Sequence, residues 1–98
     1  MTGGPEPFAI EWAGPALRAM PPLPEKVAAA AVEFIYGPLA ENPRRVGHAL
    51  RLELEGLHSA RRGDHRIVYR IDERRRRAIV EAIEHRADVY RRRRPPTA

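Results

Sequence analysis

Three features of this 98-residue chain predict an α+β domain: an N-terminal strand, two helices, then an antiparallel meander with the helices on one sheet face. The first is an alternating apolar run at residues 8–12. The second is a set of apolar residues at helical spacing between Pro24 and Tyr36. The third is a series of strand-like runs after residue 56, joined by short polar turns. The order is therefore β-α-α-β-β-β in a single domain spanning 1–98, with 1–6 and 92–98 read as flexible tails.

Phe8, Ile10 and Trp12 alternate with Ala9 and Glu11, the period of a strand. Gly14-Pro15 ends this run, and Pro15 suits the first turn of a short helix reaching about Met20. Pro21, Pro22 and Pro24 interrupt the chain, and Pro24 is again placed to open a helix. Val27, Ala30, Ala31, Phe34 and Ile35 then give that helix one apolar face, while Glu25 sits where its N-terminal dipole favours a carboxylate. Gly37-Pro38 stops or kinks it, with room for one more turn over 39–42 before the Asn42-Pro43 turn signal. Leu50, Leu52 and Leu54 alternate with Arg51, Glu53 and Glu55, as a short strand or an extended lead-in.

A hairpin follows. Gly63-Asp64 tolerates the positive φ of a tight turn and separates two strand-like runs. A two-residue loop sets Arg61 opposite Arg66 and Ser59 opposite Val68. Ile67, Tyr69 and Ile71 then share an apolar face, while Arg61, Arg66 and Arg70 line the other. Like charges across a ladder repel, so this face invites either water or an anion. A second polar turn at 72–75 leads to a last strand over 77–84, whose alternation sets Ile79 and Ile83 on one face and Val80 and Ala82 on the other. Residues 85–90 read as a final helical turn, before a basic run at 91–94.

Charge is concentrated in the second half. The chain has a net charge of +5, yet residues 1–43 hold two basic side chains against five acidic ones, and residues 44–98 hold 16 arginines against 8 acids. That half fits a polyanion or an acidic protein. Cysteine is absent, which excludes disulfides and thiolate metal sites. The start, MTGGPEPF, lacks a basic region followed by an apolar run, and no apolar stretch approaches membrane-spanning length, so a cytoplasmic protein without membrane contact is expected. The four histidines, His48, His58, His65 and His85, lack paired ligand spacing, so neither a metal site nor a cofactor is expected.

Residues 54–71, LEGLHSARRGDHRIVYRI, and 85–91, HRADVYR, resemble the RelE/ParE superfamily of type II toxins. The first matches a leucine-x-glycine, strand, Arg-x-Gly-Asp-x-Arg, aliphatic, tyrosine pattern; the second matches a terminal His-Arg-x-x-Val-Tyr. The RelE side is the nearer of the two. This resemblance implies a toxin that is an endoribonuclease, an mRNA interferase cutting in the ribosomal A site. It also implies ribosome, mRNA and rRNA as partners, and a cognate acidic, RelB-like antitoxin. The protein is expected to be a monomer alone and a hetero-oligomer with antitoxin. ParE-like relatives poison DNA gyrase instead, and a non-catalytic RNA-binding module is a third reading.

Metal-free RNA cleavage uses the substrate's 2′-hydroxyl and needs a base, a charge clamp and an acid. Arg66 matches the family's strand arginine and is the expected phosphate clamp, with Arg61 beside it. His85 is an imidazole able to move a proton near neutrality, Arg86 adds a phosphate contact, and Tyr90 matches the terminal tyrosine, for base stacking or proton transfer. These five are the expected catalytic set, converging on one open face. Ser59, Arg62, Arg70 and Arg91 are expected to bind substrate. His58 should face the helices as a structural residue, and His65 should be exposed beside the turn. Some endonuclease members carry two lysines where this chain has Leu57 and Ser59, which leaves the base to His85 or Tyr90.

Overall fold

The structure is a computed structural model, and it describes residues 6–50, 56–85 and 87. Five strands form one sheet in the order β1-β5-β4-β3-β2. β1 (Ala9–Trp12) is followed by α1 (Gly14–Ala19) and α2 (Glu25–Phe34), then β2 (His48–Ala49), β3 (Leu57–Arg62), β4 (His65–Asp72) and β5 (Arg77–His85). The last four strands are antiparallel neighbours, as the short turns require. β1 instead lies parallel to β5, with Ile10 beside Ala78 and Trp12 beside Val80. The two helices carry the chain across one sheet face and return it for the meander.

Both helices begin where proline places them. α1 has Pro15 in its first turn and buries Ala16. α2 is preceded by Pro24 and turns Ala31 and Phe34 inward. Gly37-Pro38 kinks the chain without stopping it. Residues Ile35–Leu39 form a π-helical turn with Pro38 inside, and helix continues through Ala40 and Glu41. Pro38 has no N–H to donate to the preceding turn, and the wider π turn absorbs that loss. Ile35 and Leu39, on this turn, are fully buried.

The core lies between these helices and the sheet. It joins Phe8, Ala16, Phe34, Ile35 and Leu39 to Ala60, Ile67, Tyr69, Ala78, Val80 and Ile83. Ile67 and Tyr69 are fully buried, in keeping with the hairpin's expected apolar face. The Tyr69 hydroxyl donates to the Pro43 carbonyl at 2.6 Å, and burial pushes the phenol's pKa up to about 12. Tyr69→Phe should therefore cost about 1–3 kcal/mol, because it leaves a buried carbonyl without its donor. Urea denaturation of the two proteins measures this directly.

Three expectations are corrected. The alternating leucines suggested a strand beginning near residue 50, but pairing to β3 occurs at His48–Ala49, followed by the Leu50 N–H donating to the Leu57 carbonyl; residues 51–55 lie outside the described residues. The arginine run at 74–77 is more than a polar turn. Arg76 takes φ 52°, lays its guanidinium 4.2 Å from the Phe8 ring centre and donates to the Glu6 carbonyl, while Arg77 pairs with Glu11. Finally, Ile79 and Ile83 do not share a face. Val68 sits opposite Ala82 but Tyr69 opposite Val80, so Glu81 is an extra residue on β5. This bulge shifts the alternation by one, turning Ile79 to the open face beside Arg70 and Ile83 to the core beside Ile67.

Candidate functional site

The hairpin has the register its sequence predicts. Gly63 takes φ 60°, the positive value needed at the first central position of a tight turn, and Asp64 follows without one. Arg61 faces Arg66 and Ser59 faces Val68. Directly opposed residues share a face. One face of β3–β4 therefore presents Arg61, Arg66 and Arg70, while the other presents His58, Ala60, Ile67 and Tyr69 to the helices.

Arg61 is exposed and Arg66 half-buried. Neither is in an ion pair among the described residues, so two guanidinium groups stand side by side with no carboxylate bound to them there. On β5, Glu84 is the cross-strand partner of Arg66. One row across the sheet thus reads Arg61, Arg66, Glu84. Arg70, farther along, meets Glu81 at 3.5 Å. Adjacent cations of this kind are destabilising in a sheet, and an arriving anion would relieve them.

The other expected members do not all join this row. His85 is opposite His65, and their rings meet edge to face with centres 5.1 Å apart, on the side of the sheet covered by α2. The bulge at Glu81 puts it there by turning residues 83 and 85 inward and 82 and 84 outward. His65 is half-buried rather than exposed, since it packs against that ring. Arg62 also points to the helix side, 4.5 Å above the Phe34 ring. With Lys26, Ala31, Ile67 and Ile83, these side chains border a cleft of about 370 Å³ between α2 and the hairpin tip. Ser59 is only 3% exposed, so a substrate contact is not open to its hydroxyl. Arg86, Tyr90 and Arg91 lie outside the described residues. Glu84 was missed in the sequence, because only the bulge brings it to the arginine face.

His58 lies on the helix side as expected, stacked on Tyr69 with ring centres 5.6 Å apart, and its Nδ1 is buried without a hydrogen-bond partner among the described residues. Burial, and secondarily the Arg44 guanidinium, hold its pKa below the usual 6.5. The unfolded chain thus binds the proton more readily, and stability falls as pH drops below the ordinary histidine value, levelling off below the folded one. The urea midpoint should decrease as pH falls through and below the ordinary histidine value of 6.5, and His58→Gln should flatten that decrease.

Comparison with known proteins places this architecture, with helices on one sheet face and an arginine row on the other, among the toxins of the type II toxin–antitoxin systems. The family model described as the ParE toxin of the type II toxin–antitoxin system parDE matches residues 10–90. Toxin RelE of Mycobacterium tuberculosis is 51% identical over 85 residues, covering 87% of this chain and 88% of that protein. Toxin RelG of the same organism is 44% identical over 86 residues, covering 88% and 99%. A chain in the crystal structure of the RelBE2 toxin–antitoxin complex from M. tuberculosis superposes with a TM-score of 0.80 at 42% identity, covering 85% of this chain and 95% of that one. The intact E. coli RelBE complex contains the same fold at 16% identity, with a TM-score of 0.69, covering 80% of this chain and 95% of that one. The chain belongs to this toxin family and is RelE-like.

Proposed function

We propose that this toxin inhibits translation by cutting mRNA in the ribosomal A site, without a metal ion, in the cytoplasm where ribosomes work. The observation that carries this reading is the Arg61–Arg66 pair on the sheet face that the helices leave open. A phosphodiester attacked by its neighbouring 2′-hydroxyl gathers negative charge on its non-bridging oxygens, and two fixed guanidinium groups would bind that charge where it develops. Arg70 lies farther along the same face, suited to a flanking phosphate. Following the resemblance, Arg86, Tyr90 and Arg91 would extend the site from the chain just beyond β5. The names of the relatives support the reading, as does the concentration of arginine in residues 44–98.

His85 is set aside as proton carrier, since it faces His65 under α2. An acidic antitoxin is the expected partner in the resting state, supported by the RelBE2 relative having been solved as a toxin–antitoxin complex. A translated message carrying one 2′-deoxynucleotide tests the chemistry. Cleavage should vanish at that nucleotide and persist elsewhere, with DNA gyrase supercoiling unaffected by the same toxin. Intact message together with inhibited supercoiling would assign the ParE-like, gyrase-poisoning activity instead.

A further inference from the structure

We infer that Glu84 is the general base that takes the proton from the attacking 2′-hydroxyl; the inference rests on the RNA-cleaving function proposed above. Arg66 is flanked on one side by Arg61 of β3 and on the other by Glu84 of β5, all three in one row on the open face. Directly opposed side chains in a sheet start about 4.5–5.5 Å apart at Cβ. A phosphodiester resting on Arg61 and Arg66 therefore has the Glu84 carboxylate within reach of the sugar next to it.

The bulge at Glu81 creates this row. With uninterrupted alternation from Val80, which is buried in the core, Glu84 would point at the helices. The extra residue turns Glu84 outward and His85 inward in the same stroke. Of the other proton acceptors among the described residues, His48 shares the open face but sits one row along, opposite Ser59 on the edge strand β2, and none lies in the row of the two arginines. His58 stacks on Tyr69, His65 and His85 face each other on the helix side, and Asp64 lines the cleft there. The Tyr69 phenol is buried and donates to Pro43. Glu81 lies farther along the sheet beside Arg70, and Glu73 near the opposite end of β4 beside Arg44. The residues that replace the family's strand lysines, Leu57 and Ser59, offer no base, and Ser59 is buried.

In the resulting step, a Glu84 carboxylate oxygen takes the 2′-hydroxyl proton as the 2′-oxygen bonds to phosphorus. The phosphorus–O5′ bond breaks, its electron pair stays on O5′, and that oxygen takes a proton from water. The products are a 2′,3′-cyclic phosphate and a 5′-hydroxyl. The two arginines balance the charge that accumulates on the phosphate during this exchange.

Single-turnover cleavage of a translated message on saturating ribosomes tests the assignment, with the full-length toxin and its Glu84→Gln and Arg66→Ala variants. Glu84→Gln should cut about 10²- to 10⁴-fold more slowly. Its apparent affinity for ribosomes and its melting temperature should stay close to the wild-type values. Glu84→Asp should recover part of the rate, because it keeps a carboxylate on a shorter arm. A wild-type rate in Glu84→Gln, with Arg66→Ala strongly impaired, overturns the assignment while leaving the proposed function intact. No cleavage by the wild-type toxin overturns both.

Discussion

Arg66→Ala should lower the rate of mRNA cleavage about 10²- to 10³-fold, the loss typical of removing one preorganised donor to a developing oxyanion. Arg66 is the middle residue of the Arg61–Arg66–Glu84 row, so its loss leaves a gap between the remaining cation and the base. Arg66→Lys should recover only part of the rate, because an ammonium keeps the charge and loses the planar fork. Stability should move the other way. The Arg61–Arg66 opposition is unfavourable in the free protein, so the alanine variant should be up to about 1 kcal/mol more stable. Lost activity with retained or increased stability separates a substrate clamp from a structural arginine. Cleavage time courses and urea curves on the same preparations measure both.

Gly47→Ala should have the largest effect on the fold. A Cβ there would lie 2.4 Å from the Tyr69 hydroxyl oxygen and 2.5 Å from the Ser59 carbonyl oxygen. Neither neighbour can move cheaply. The hydroxyl is held by Pro43 inside the core, and the carbonyl belongs to β3 where it pairs with both β2 and β4. Relieving the overlap must push β2 from the sheet or break the buried hydrogen bond. Together these should cost about 3 kcal/mol, enough to lower the melting temperature of a domain this size by roughly 10–20 °C. A thermal scan checks it, and an unchanged melting temperature would mean that residues 43–47 yield more readily than their contacts suggest.

Local signals carried most of the fold. Gly63-Asp64 and the alternation around it were enough to set the hairpin register, because a tight turn leaves few alternatives and a one-residue slip would have exposed Ile67 and Tyr69. The helices were legible for similar reasons, through proline starts and apolar spacing. The parallel pairing of β1 with β5 was not, since it depends on how the helices return the chain across the sheet. The bulge at Glu81 was also hidden. Nothing in RAIVEAIEH marks one residue as extra, yet that residue decides which side chains of β5 reach each face. Hence the arginines of the open face could be read in advance, while His85 was expected on that face but lies on the other, and Glu84 was passed over.

The most direct test maps the 5′ ends of one message in a reconstituted translation reaction, with the wild-type toxin, with an Arg61→Ala, Arg66→Ala double variant, and with ribosomes omitted. New ends should fall within the A-site codon for the wild-type toxin, should be absent without ribosomes, and should be nearly absent for the double variant. A message left intact by the wild-type toxin, or cut equally well by the double variant, would contradict a phosphate clamp on the open face of the sheet.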